Sequence, residues 1–170
     1  MRVRAVGVMI VAALSLAACG SSGTASSSGG SQTTAASGSP STKGCPKGAA
    51  VSTAMGSAFT GPVTGTNGGT APCVYSGSGG LEVNVLINAP GLTKSQFASQ
   101  AQSDMGPTAA PVPGVGNAAY ASTAYGHAEI DVYVSSSKGF AVTLDPANQA
   151  AVTTADLTQV EAVARAVLKG

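Results

Sequence analysis

The sequence predicts an α+β domain: an antiparallel sheet of about five strands with helices packed on one face, in the order α-ββ-α-βββ-α. Three observations carry this. Apolar and polar residues alternate with period two in residues 81–87 and again in 128–134, as they do in strands with one buried face. Two segments, opening at Thr93 and Thr153, begin with capping signatures and continue with apolar residues at helical spacing. Adjacent strands are joined by short Gly/Ser turns, which favours antiparallel neighbours.

Taken in order, residues 46–55 read as a short helix. Pro46 suits a first turn, Val51 and Met55 lie four apart, and Gly56 can end it. Residues 61–69, rich in Gly and Thr, read as a loop. Residues 73–76 and 81–87 form a hairpin about the Gly-Ser-Gly-Gly turn 77–80, with Leu81, Val83, Val85 and Ile87 facing inward. A helix then starts at Thr93, with Gln96 completing a capping box and Leu92 with Phe97 forming a hydrophobic staple. Phe97, Ala101 and Met105 share its inner face, and Gly106-Pro107 stops it. After a Pro-rich linker, 106–116, come strands at 117–123, 128–134 and 139–144. The last two are joined by Ser135-Ser136-Ser137-Lys138. The final helix, 154–168, is capped by Thr153 with Asp156 and stapled by Val152 and Leu157. Its stripe is Leu157, Val160, Ala164, Val167 and Leu168.

The segment before this domain sets its expected address. Arg2 and Arg4 lead into an apolar run, residues 5–16. As a helix that run spans about 18 Å, short of the ~30 Å hydrocarbon core, so it fits a signal peptide better than a permanent span. It ends in Leu16-Ala17-Ala18-Cys19, a bacterial lipobox. Residues 1–18 are expected to be removed, leaving Cys19 diacylglycerated at the new N-terminus. Two or more fatty chains hold a protein stably to a bilayer. The expected location is the extracytoplasmic face of the cell membrane. Residues 20–44 are almost all Ser, Gly, Thr and Ala, with nothing large to bury, and read as a disordered tether. The domain spans 45–170.

Charge and cysteines narrow the classes further. Without Arg2 and Arg4, six Lys and Arg face seven Asp and Glu, a net charge near −1. That gives no basic field for nucleic acid. Cys45 and Cys73 remain once Cys19 is lipidated, and two leftover cysteines in an exported chain are expected to pair. A metal site is the rival, but two thiols and one His make a poor ligand set. No cofactor or metal is expected.

Gly114, Gly116 and Ala119 spell G-x-G-x-x-A, which elsewhere cradles a pyrophosphate. Such a loop needs a strand before it and a helix after it. Here Pro111 and Pro113 precede it and an alternating segment comes next, so a turn redirecting the chain into a strand is expected instead. The stretch Pro-Val-Pro-Gly-Val-Gly-Asn-Ala-Ala-Tyr, 111–120, resembles the turn-into-strand signature of a family of small actinobacterial lipoproteins with a cysteine-paired domain of unknown function. The lipobox, the Ser/Gly tether, the cysteine-led helix 45–56, Cys73-Val74-Tyr75 and the Ala-rich C-terminal helix add to the resemblance. Membership implies no enzymatic activity.

Candidate chemistry is sparse. His127, Glu129, Asp131 and Tyr133 share the non-apolar face of one strand, read as a solvated outer face with room for a weak His127–Glu129 pair. Residues i and i+4 on a strand lie about 13 Å apart, too far for His127 and Asp131 to share an ion. No serine sits in G-x-S-x-G, so no catalytic residue is assigned. Tyr75, Tyr120, Tyr125 and Tyr133 are the candidate contacts for a ligand or partner. The expected function is a non-enzymatic binding or interaction module. Its ligand would be a small envelope molecule or an envelope protein. The alternatives are an accessory lipoprotein acting through a protein partner and, more weakly, an envelope hydrolase.

Overall fold

The computed structural model describes residues 44–64, 72–146 and 150–170, all within one compact unit. The expected signal segment 1–18, the lipidation site Cys19 and the tether up to residue 43 lie outside the described residues. Three helices and seven strands are arranged in the order α-βββ-α-ββββ-α. They are α1 (Gly48–Met55), β1 (Phe59–Thr64), β2 (Cys73–Gly77), β3 (Glu82–Asn88), α2 (Lys94–Asp104), β4 (Ala110–Pro111), β5 (Ala118–Ser122), β6 (Ala128–Ser135), β7 (Lys138–Asp145) and α3 (Thr154–Lys169). The strands form one open sheet in the order β1-β2-β3-β7-β6-β5-β4, antiparallel throughout.

The α+β class, the antiparallel sheet and the packing of helices on it are as the sequence predicts. The strand count differs. Residues 59–64 form β1 where a loop was expected from 61, and 65–71 lie outside the described residues. Gly61 and Pro62 mask this strand, because both are rare in central strands. At the sheet edge they are tolerated: the Gly61–Pro62 bond is cis and the register shifts between Thr60 and Val63. The other added strand, β4, is two residues inside the Pro-rich linker, opposite Tyr120 and Ala121.

The main core grows out of the period-two pattern. Val83 and Val85 of β3 face Leu144 and Val142 of β7, which face Ala128 and Ile130 of β6. All six are at most 1 % exposed. Helices α1 and α3 cover this face through Val51, Met55, Val160, Val163 and Ala164. The stripe of α3 is rotated slightly from expectation: Val163 is fully buried, whereas Leu168 is exposed. Helix α2 takes the other face. Its Phe97, Ala101 and Met105 cluster with Tyr133, and Tyr133 alternates with Val132 of the main core. Successive strand residues point to opposite layers, so α2 lies across the sheet from α1 and α3, and the helices do not share one face as the sequence predicts.

Cys45 and Cys73 form a disulfide that joins the segment before α1 to β2. Beside it the fully buried Tyr75 donates its hydroxyl to the Pro46 carbonyl at 2.6 Å. This burial pushes the Tyr75 hydroxyl up to about 12. Bridge and hydrogen bond together hold the start of α1 against the sheet. The cysteines are 28 residues apart. In the loop-entropy account, replacing both by Ser lowers unfolding free energy by about 3–4 kcal/mol. Denaturant unfolding of the double Ser variant beside the parent checks this, and an unchanged midpoint would refute it.

Candidate functional site

The outer sheet face becomes a site because α2 is laid over only part of it. The helix starts with both halves of its capping box. The Thr93 N–H donates to Gln96 Oε1 at 2.9 Å, and Thr93 Oγ1 accepts from the Gln96 N–H at 3.4 Å. Two bonds then moor it to the sheet. Tyr133 of β6 donates to the Leu92 carbonyl at 3.2 Å, just before the helix. The buried Ser122 of β5 donates to the Met105 carbonyl at 2.8 Å, just after it. Between them the Phe97 ring leans on Tyr133 and Tyr120, with centroids 5.4 and 6.3 Å away.

Beside this aromatic contact the helix and sheet do not close. A cleft of about 270 Å³ remains, bounded by Phe97, Gln100 and Asp104 of α2, Asp131 of β6, Asn88 at the end of β3, and Leu92 from the β3–α2 connection. Asn88, Gln100 and Asp104 stand exposed at its mouth, and Asp131 is half-buried. Burial pushes the Asp131 carboxyl up from 3.8 to about 7, and the charges of Glu129 and then Asp104 add to the effect. Three of the seven acidic residues in the sequence therefore meet here. Among the described residues no Lys or Arg pairs with any of them, the ion pairs being His127–Glu129 and Arg165–Glu161.

Magnitudes show why this helix is delicately balanced. Burying Phe97 and Met105 contributes about 1.5–3 kcal/mol each. Ionising Asp131 opposes this by up to about 4 kcal/mol, three pKa units at ~1.4 kcal/mol each, and less where water screens it. The two effects are of one size.

The candidate residues divide. Tyr133 and Tyr120 meet at the α2 contact, as a floor under Phe97. Tyr125 is 73 % exposed at a kinked turn, and its hydroxyl lies beside Gly106 just after α2, outside the Phe97 contact. Tyr75 is removed from any contact role, because it is wholly inside the main core. The solvated outer face is also corrected: α2 buries Tyr133 and half-buries Asp131. His127 does approach Glu129, at 3.3 Å. Among the described residues no three His, Cys, Asp or Glu side chains group as metal ligands, and His127 makes no hydrogen bond to a serine. Asn88, Gln100 and Asp104 escaped the sequence reading. The one available signal was phase: Gln100 and Asp104 each precede a buried residue at the inner face of α2, Ala101 and Met105, and so flank that face.

The G-x-G-x-x-A stretch is a turn with structural glycines. Gly114 and Gly116 have φ of +72° and +58°, and the next element is β5, not a helix. A Cβ on Gly116 would stand 2.7 Å from Val132 Cγ1 and 2.8 Å from the Tyr133 carbonyl oxygen. Arg165 of α3 pins the turn by donating to the Gly114 and Pro113 carbonyls at 2.9 and 3.4 Å. An open groove of about 540 Å³ runs along residues 111–120, and a recess of about 480 Å³ lies between Lys47 and the end of α3. The groove is lined by one charged residue, Lys94, and the recess by two, Lys47 and Lys169; neither brings carboxylates together as the α2 cleft does. Compared with family models, with curated proteins and with solved structures, the chain finds no match.

Two outcomes are expected from these contacts. Gly116→Ala is expected to lower stability by about 1–3 kcal/mol, from overpacking and a left-handed φ, and a thermal melt matching the parent would contradict that. For Asp131 the folded chain holds the proton more tightly than the unfolded one. Its contribution is therefore greatest at low pH, declines from about pH 4 to pH 7, and is flat above. Asp131→Asn should be more stable than the parent at pH 8, by about 2–4 kcal/mol, with the gap closing by pH 4. Denaturant titrations of both proteins across this range measure the gap, and a pH-independent difference would exclude the assignment.

Proposed function

We propose that this chain is a lipid-anchored, extracytoplasmic binding module without enzymatic activity, and that the cleft beneath α2 holds a small molecule bearing positive charge. The observation that carries the reading is the cleft itself. It is a recess between sheet and the Phe97 helix, with one aromatic side and two carboxylates, Asp131 and Asp104, that no cation of the described chain neutralises. Pockets for drug-sized ligands run from about 300 to 1,000 Å³, so at about 270 Å³ this one suits a small ligand. An ammonium or guanidinium group would meet the carboxylates in charge-assisted hydrogen bonds, and the Phe97 ring would face its apolar part or the charge itself.

The address rests on residues 1–19: the short apolar run, the lipobox and Cys19. The Cys45–Cys73 disulfide agrees with an oxidising compartment. None of the described helices is long and apolar enough to cross a membrane. The resemblance to small actinobacterial lipoproteins points the same way. A second reading, an accessory lipoprotein acting through a protein partner, draws on the open groove along residues 111–120.

Native mass spectrometry of the delipidated protein, purified from its own envelope, tests both parts. The expected spectrum shows a protein starting at Cys19 and a fraction carrying one extra small mass, lost in Asp131→Asn. Residues 1–16 still attached would defeat the address. An empty parent protein would defeat the small-ligand reading and leave the partner reading.

A further inference from the structure

We infer that α2 is a pH-responsive flap, which lifts from the outer sheet face as the carboxylates beneath it become charged and so regulates the cleft. Its bearing on ligand capture rests on the binding reading above; the motion itself does not.

The geometry of the attachment comes first. Among the described residues α2 is the helix set apart from the main core, and it covers its own small cluster of Phe97, Ala101, Met105 and Tyr133. Its two junctions are built alike. Pro90-Gly91 precedes it and Gly106-Pro107 comes after it, and Gly91 and Gly106 have φ of +66° and +78°. A helix between two such glycines can rotate as a body, with little cost in the strands on either side. The first junction is tied by Tyr133 to the Leu92 carbonyl and by the Gly91 N–H to the Ser136 carbonyl at 2.8 Å, and the second by Ser122 to the Met105 carbonyl and by the Thr108–Ser122 hydroxyl pair at 2.6 Å. Among the described residues its middle is held to the sheet by the packing of Phe97 and Ala101 and by no hydrogen bond.

The forces across that middle oppose one another. Asp104 is carried by α2, while Asp131 and Glu129 are carried by β6. The remaining groups facing Asp131 are Tyr120, its neighbour on β5, Ala141, its neighbour on β7, and the amides Asn88 and Gln100 around the cleft. His127 touches Glu129. Among the described residues no Lys or Arg pairs with Asp131 to offset the charge that appears when its proton leaves. Burial pushes the Asp131 carboxyl up to about 7, with Glu129 and then Asp104 adding to it; lifting α2 would admit water and carry Asp104 away, so the carboxyl would move back toward its ordinary value. Linkage then sets the sign: the docked state is favoured at low pH, and its advantage shrinks as pH rises from about 4 to about 7, by up to tenfold in the docking equilibrium per pH unit. Above that window the bias is constant. A bound cation would replace the missing proton and press the flap down, so capture and closure would be coupled.

Hydrogen exchange of the intact, ligand-free protein at several pH values, corrected for the intrinsic rate, reads the motion directly. The protection of residues 97–104 is expected to fall by at least tenfold between pH 5 and pH 8 and, at each pH, to lie at least tenfold below that of residues 160–167 in α3, which exchange only when the main core opens. Asp131→Asn, which removes repulsion and so is expected to fold, should keep α2 protected at pH 8. Asp104→Asn should recover part of that protection. If α2 and α3 are equally protected at each pH, α2 opens only with the whole fold and the flap is refuted. If α2 protection is unchanged with pH, Asp131 ionises in place and the flap is again refuted. Either failure leaves the ligand reading standing, since that is judged by the mass carried on the purified protein.

Discussion

A β-strand must give neighbouring side chains to opposite layers, and in β6 this constraint decides the molecule. Ile130 and Val132 commit one face to the main core, which sends Asp131 and Tyr133 to the other. The pairing holds them there: Val132 lies between Ala119 and Phe140, and Asp131 between Tyr120 and Ala141. A slip of one residue would bury Asp131 among valines and expose Ile130 to water, so the register is strongly specified. Everything notable on the outer face depends on it. Tyr133 becomes a platform for Phe97, and Asp131 beside it becomes a charge without a counterion.

Stability is consequently distributed unevenly. The face under α1 and α3 contains nearly all the fully buried side chains, and the Cys45–Cys73 bridge closes one end of it. The face under α2 has a small aromatic contact, two side-chain ties and three carboxylates. Elements that open locally come from such thinly packed regions, and binding sites commonly sit against them. The scaffold can be rigid because paired strands pack Val83, Val85, Ile130, Val132, Val142 and Leu144 together and α1 and α3 close over them. The site can be adjustable because one capped helix is hinged over it.

The glycines of the 111–120 turn show how much a motif depends on the element that comes after it. In a phosphate loop glycine lets a ligand approach the backbone. Here Gly116 lets Val132 and the Tyr133 carbonyl approach instead, and Gly114 presents its carbonyl to Arg165. The same residue property, the missing Cβ, serves internal packing because a strand and not a helix comes next.

Much of the architecture was legible in the residues alone. Alternation in 81–87 and 128–134 depends only on the pleat, and the boxes at Thr93 and Thr153 only on a few neighbours, so local pattern determined these elements. The pairing of Cys45 with Cys73 came from counting. Strand β1 was hidden because Gly61 and Pro62 break the pattern, and an edge strand tolerates residues that a central strand does not. The face chosen by α2 was hidden for a different reason. Amphipathicity tells a helix to bury one side, but a helix linking β3 to β4 can cross either face of the sheet. Only the packing of Phe97 on Tyr133 decided it. That choice brought Asp104 against Asp131, two carboxylates 27 positions apart whose meeting no local pattern encodes.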